Sequence, residues 1–176
     1  METTPIDTSK IQLKDGFHSE GKEGRGLVLI IDSREQAPLI FREGVFEKSI
    51  VRALPVGDYG CEVNGKLIPI IGERKSLQDL FSTLGSKNYE RFRREIHKAK
   101  ELNIKLVLLI EGTMREVAVG YERSTFDGNS MLKKLAMLYV KYDLEYHFCS
   151  DRREMSRRIE DTFEAVQRWW KKEKKI

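Results

Sequence analysis

Three side chains in this 176-residue chain combine types and spacing that suit hydrolysis: Asp58, Glu73 and Lys75. Asn64-Gly65 lies between two apolar-rich segments and is a strong hairpin signal. The predicted strands, Asp58 to Val63 and Lys66 to Ile71, put Asp58 at the start of one and Glu73 at the end of the other. Hairpin pairing then makes neighbours of two acids fifteen positions apart. Two carboxylates at one point repel each other and invite a hard cation. Mg²⁺ suits such a pair, because it accepts one or two carboxylates, keeps several waters and takes phosphate oxygens as further ligands. Mn²⁺ is the expected substitute. Lys75, two positions beyond Glu73, shares its face by strand alternation. An ammonium there polarises the attacking water and offsets charge on a scissile phosphate. Arg74 points the other way and offers its backbone carbonyl to the metal. The chemistry is that of phosphodiester cleavage.

The elements that must position these residues follow from periodicity. Leu27 to Ile31 is a continuous apolar run of strand length, as expected of a central strand buried on both faces. It ends in Asp32-Ser33-Arg34-Glu35, and strand ends of open α/β sheets are where sites collect. Lys48 to Leu54 reads as a second strand. Pro69 within Lys66 to Ile71 cannot donate to a ladder, so one side of that strand is expected to be locally unpaired. The period then turns helical, with Leu77, Leu80, Phe81 and Leu84 behind an N-cap at Ser76 and with Asp79 as its capping-box acid. A second helix runs from about Lys87 to Leu102, with Tyr89, Phe92, Ile96 and Ala99 on one face. Lys105 to Ile110 is a buried strand, Met131, Leu135, Leu138 and Tyr142 mark a helix, and Tyr146 to Cys149 is a short strand. The last helix opens at Asp151 with Glu154 placed for a capping box, and carries Ile159, Phe163, Val166 and Trp170. A hairpin-rich first half followed by alternating strands and helices argues for an α/β fold, a central mixed β-sheet flanked by helices. Residues 1–24 read as a flexible tail and 25–176 as one domain, with no internal repeat.

Composition narrows the class. The chain is 40% hydrophobic and 34% charged with a net charge of +4, which suggests a polyanion partner without requiring one. The two cysteines, Cys61 and Cys149, have no Cys or His at metal-ligand spacing, so neither a zinc site nor a disulfide framework is expected. No apolar run is long enough to cross a bilayer and the start lacks the order of a signal peptide. The expected setting is intracellular and reducing: cytoplasm or nucleoid, or a host cytoplasm for a viral protein.

Asp32-x-Arg34-Glu35, then Gly57-Asp58-Tyr59, then Glu73-Arg74-Lys75-x-x-x-Asp79 resembles the nuclease domain of the XPF/Hef family, structure-specific endonucleases of the restriction-endonuclease-like, PD-(D/E)XK superfamily. The resemblance covers about Leu27 to Trp170 and is strongest before residue 95. It implies a restriction-endonuclease-like fold and a divalent metal at Asp58 and Glu73 with Asp32 close by. It also implies essential roles for Arg34, Glu35, Arg74, Lys75 and Asp79, at the phosphate or in holding the site. The chain departs from family members that carry tandem helix-hairpin-helix motifs or helicase-like regions, and in this compact form is similar to stand-alone nuclease domains of phages and prokaryotes. The expected activity is metal-dependent cleavage of branched or otherwise structured DNA in repair or recombination. A catalytically silent DNA-binding or scaffold subunit, and a restriction-like nuclease without branch preference, are the alternatives.

Two surfaces complete the reading. Arg91, Arg94 and Lys98 share a helix face and are expected to track a phosphate backbone. Of the adjacent Trp169 and Trp170, one fits the apolar stripe and one points off it. In the family the helices after the nuclease core mediate dimerisation, which implies a homodimer through the C-terminal helices.

Overall fold

The computed structural model describes residues 26–86 and 88–172. The expected tail, the helix start at Lys87 and the side chain of Trp170 lie outside the described residues. One mixed sheet holds seven strands: β1 (Leu27–Ile31), β2 (Lys48–Val51), β3 (Tyr59–Val63), β4 (Lys66–Leu67), β5 (Ile70–Ser76), β6 (Lys105–Glu111) and β7 (Glu145–Cys149). Their order is β2-β1-β3-β5-β6-β7, with β4 paired to β3. β1 is parallel to β2 and antiparallel to β3, whereas β5, β6 and β7 run parallel.

The continuous apolar strands are explained by a core on each face. In β6, Leu106, Leu108 and Ile110 join the core beneath α1 (Leu77–Leu84), α2 (Tyr89–Glu101) and α4 (Gly128–Tyr142), while Val107 and Leu109 join the core beneath α5 (Arg152–Lys172). Met155, Ile159 and Phe163 of α5 are almost fully buried, each contributing on the order of 2 kcal/mol of apolar burial.

The hairpin differs from its sequence reading in a way that matters for the site. Val63 pairs Lys66 and Glu62 pairs Leu67, and the Ile68 N–H still reaches the Cys61 carbonyl at 2.8 Å. That register would place Ile70 opposite Tyr59. Instead Tyr59 pairs Gly72, because the chain swells at Pro69, where no N–H is present to continue the ladder. The two-residue advance draws β5 back toward Asp58 and preserves which side chains face which layer. β5 also continues to Ser76 rather than stopping at Ile71, paired with β6 throughout. Glu73 and Lys75 therefore sit inside a parallel strand pair, not at a frayed hairpin end.

Smaller differences have local causes. β2 stops at Val51 because the Leu54 N–H turns to the Asp32 carboxylate at 2.6 Å. A short helix, α3 (Met114–Val119), was absent from the periodicity reading; six residues are too few for a stripe, but Thr113 and Glu116 form a capping box that announces it. At α5, Asp151 accepts the Glu154 N–H, but the Glu154 carboxylate accepts from Ser150 N–H and hydroxyl rather than from Asp151. Val166 is half-buried along the stripe, and Trp169 is 51% exposed.

Candidate active site

Asp58 is stitched to the strands on either side of it. Its N–H donates to the Gly72 carbonyl at 2.8 Å, its own carbonyl accepts the Asp32 N–H at 2.8 Å, and its Oδ2 accepts the Arg74 N–H at 2.8 Å. The turn that delivers it depends on Gly57, which has φ +68°; a Cβ there would lie 2.5 Å from Ile71 Cγ2 and 3.0 Å from the Gly72 carbonyl oxygen. Only glycine fits both the backbone angle and the space.

Glu73 is 5% exposed and forms an ion pair with Lys75, two residues on and on the same face. The Lys75 ammonium also lies 5.5 Å from the centre of the Phe92 ring of α2. Burial pushes the Glu73 carboxyl well above the usual range, and the nearby Asp58 and Glu95 charges add to that push against the pull of Lys75. Burial likewise raises Asp58 to about 6, opposed by the Arg74 N–H and by Lys75. Burial pulls the Lys75 ammonium down, but Glu73, Asp58 and Glu95 outweigh it and hold the group above its ordinary value. Negative charge exceeds positive charge in this crevice between sheet and α2.

Asp32, Arg34, Glu35 and Arg74 are held by a second set of hydrogen bonds. Both oxygens of Asp32 are engaged: Oδ1 accepts the Arg34 N–H and Nε at 2.9 and 2.7 Å, and Oδ2 accepts Arg34 Nη2 at 3.1 Å and the Leu54 N–H. These donors outweigh burial and keep the Asp32 carboxyl below the usual range. Arg74 points to the α5 layer, as alternation requires, where Nε and Nη2 reach the two oxygens of Glu35 at 3.0 and 3.1 Å. The Tyr59 hydroxyl donates to Glu35 at 3.3 Å and accepts the Leu39 N–H at 2.9 Å. Glu111 lies between Arg74 and Arg152, at 3.7 and 3.8 Å. Asp79 stands apart: its N–H donates to the Ser76 hydroxyl, the N-cap read from sequence, while its carboxylate accepts that hydroxyl rather than the Ser76 N–H that a full capping box requires. Arg91, Arg94 and Lys98 are exposed on α2, as their spacing implied.

Two acids near this constellation were missed. Glu95 of α2 accepts the Gly57 N–H at 2.9 Å; its signal was an acid beside the buried stripe of Phe92, Ile96 and Ala99. Glu111 was read only as a strand end, which it is.

Among the described residues no three His, Cys, Asp or Glu side chains form a complete cage for an ion. Two carboxylates, Asp58 and Glu73, still fit a hard cation that takes its remaining ligands from water and phosphate. The mixed sheet with helices on both faces is an α/β layer fold of the kind seen in XPF nuclease domains. A family model for the ERCC4 domain matches residues 31–161, and the chain belongs to that family. The fold is similar to that of XPF from Aeropyrum pernix, with TM-score 0.60 and 20% identity over 84% of this chain and 69% of that one. It is also similar to XPF from Aeropyrum pernix in complex with DNA, with TM-score 0.56 and 21% identity over 82% of this chain and 65% of that one. No curated protein sequence matches. The family makes this a DNA endonuclease domain.

A raised Asp58 has a consequence for stability. Its folded value of about 6 exceeds the ~3.9 of a free aspartate, so between those values the folded chain binds more protons and gains stability as pH falls. Asp58→Asn is expected to raise the melting temperature in EDTA at pH 7.5 by roughly 3–6 °C, with about half of the gain left at pH 5 because the folded and unfolded values of about 6 and ~3.9 bracket that pH. Scanning calorimetry at the two pH values checks this; a lower melting temperature at pH 7.5 contradicts it.

Proposed function

We propose that this chain is a divalent-metal-dependent endodeoxyribonuclease that uses Mg²⁺, or Mn²⁺ in its place, to cut branched or otherwise structured DNA in repair or recombination within the cell. The observation that carries the reading is the seating of Asp58 on the Gly72 carbonyl and Arg74 N–H, the peptide groups that flank Glu73, with Glu73 buried and paired to the Lys75 ammonium. Asp58, Glu73 and the Arg74 backbone carbonyl would hold the cation. When bound, it supplies positive charge against the scissile phosphate and activates water.

The chain's own groups do the rest. Lys75, anchored by Glu73 and seated over Phe92, presents a fixed ammonium to the attacking water and the developing phosphate charge. Arg34 is 69% exposed although Asp32 grips one edge of its guanidinium, so the free edge can take a phosphate oxygen. Asp32, with both oxygens bonded, serves as the orienter of Arg34 and Leu54 rather than as a metal ligand. Glu35 aligns Arg74, whose N–H in turn aligns Asp58. Ser76, the residue after Lys75, caps α1, and Asp79 holds that cap by accepting its hydroxyl and donating its own N–H to it.

Incubation with labelled fork, flap, Holliday-junction and linear duplex DNA tests the reading. We expect nicking in Mg²⁺ or Mn²⁺ that is faster on branched substrates and falls by roughly 10²- to 10³-fold in Glu73→Ala, as for loss of a group acting in the transition state. No cleavage with any metal would favour a silent binding subunit, and equal rates on linear duplex a restriction-like enzyme.

The exposed Arg91, Arg94 and Lys98 side chains border the crevice that holds Glu95, so DNA entering the site would pass over them. Neutralising all three should weaken DNA binding and reduce the slope of log affinity against log salt by about 2–3, as expected for three phosphate contacts. An unchanged slope removes this surface. Met137, Tyr139 and Val140 of α4 and Trp169 of α5 are exposed, and these C-terminal helices are the proposed homodimer contact. Sedimentation at micromolar concentration should give a dimer; a monomer rejects it.

A further inference from the structure

Glu95 is the charged group near the site that the mechanism above leaves without a role. It stands three residues beyond Phe92, whose ring underlies Lys75, and reaches from α2 across to the turn that carries Asp58. Its Oε1 accepts the N–H of Gly57, the residue whose left-handed backbone no other side chain could occupy without meeting Ile71 and Gly72. That donor is buried and cannot be redirected by relaxing the turn, so an acceptor is required at this point.

A neutral acceptor would satisfy one N–H. A carboxylate adds a third negative charge to a crevice that already contains Asp58 and Glu73. Lys75 and Arg34 both feel Glu95, and both are committed, Lys75 to Glu73 and Arg34 to Asp32, while Arg91, Arg94 and Lys98 of the same helix are exposed to solvent. Glu95 raises Asp58 and Glu73 in turn. Like charges gathered in this way destabilise the empty site and favour whatever cation enters it.

We propose that Glu95 is a positioning residue of the nuclease site, fixing the Gly57–Asp58 turn through its carboxylate and strengthening divalent-cation binding at Asp58 and Glu73 through its charge. The inference rests on the metal-dependent reading above. Groups that orient and bias metal ligands in this way change metal affinity by about 10- to 100-fold.

Calorimetric titration of MnCl₂ into the full chain separates the possibilities, with a melting curve for every variant. Glu95→Gln keeps an oxygen acceptor for Gly57 and removes the charge, and is expected to melt within a few degrees of the parent while binding Mn²⁺ at least about 10-fold more weakly. Glu95→Asp keeps the charge and should stay within a few-fold of the parent. If E95Q binds within twofold of the parent while Glu73→Gln abolishes binding, the role of Glu95 is overturned and the metal site stands. If E95D binds as weakly as E95Q, the charge argument is overturned. If the parent takes up no Mn²⁺, both the metal reading and this inference fall.

Discussion

A peptide group of β5 on each side of Glu73 holds Asp58: the Gly72 carbonyl accepts its N–H, and the Arg74 N–H donates to its carboxylate. Without those two bonds, burial and like charge would drive the Asp58 and Glu73 carboxyls apart. They exist because the chain swells at Pro69 and advances β5 by two residues against β3. A register error of one would have sent Glu73 and Lys75 to the opposite layer. Backbone geometry therefore assembles the charges, and the charges do not assemble themselves.

The sheet separates two kinds of polar structure. Toward α2 lie Asp58, Glu73, Lys75 and Glu95, with negative charge in excess. Toward α5 lie Glu35, Arg74, Tyr59, Glu111 and Arg152, with donors and acceptors matched. The loop after β1 is tied to α5 through Arg152, which donates to the Ala37 and Pro38 carbonyls at 2.6 and 3.0 Å, and through buried Glu160, which accepts the Arg42 N–H at 2.7 Å. One face is thus satisfied and rigid, and it clamps the strand whose other face is left unneutralised. Such an arrangement sacrifices stability at the site and recovers it in the surrounding network.

The helix α2 links recognition to chemistry. Its buried stripe of Phe92, Ile96 and Ala99 packs under the sheet, Phe92 supports Lys75, Glu95 reaches Asp58's turn, and Arg91, Arg94 and Lys98 face solvent. A phosphate backbone lying along the basic face would be set beside the carboxylates by the helix's own geometry.

Much was legible without coordinates. Unbroken apolar runs such as Leu106 to Ile110 announced strands covered on both faces, and the spacing of Met131, Leu135, Leu138 and Tyr142 announced a helix, because burial repeats with the period of the backbone. Glu73 and Lys75 were assigned one face by alternation, and Ser76 with Asp79 marked a helix start. What residue spacing could not convey was contact across distance. The two-residue swell at Pro69, the saturation of Asp32 by Arg34 and Leu54, and the approach of Glu95 to Gly57 over 38 positions each depend on how layers pack. Local periodicity dictates which way a side chain points; only the packed sheet and helices decide what it meets there, since those meetings are set by register and close packing between segments far apart in the chain.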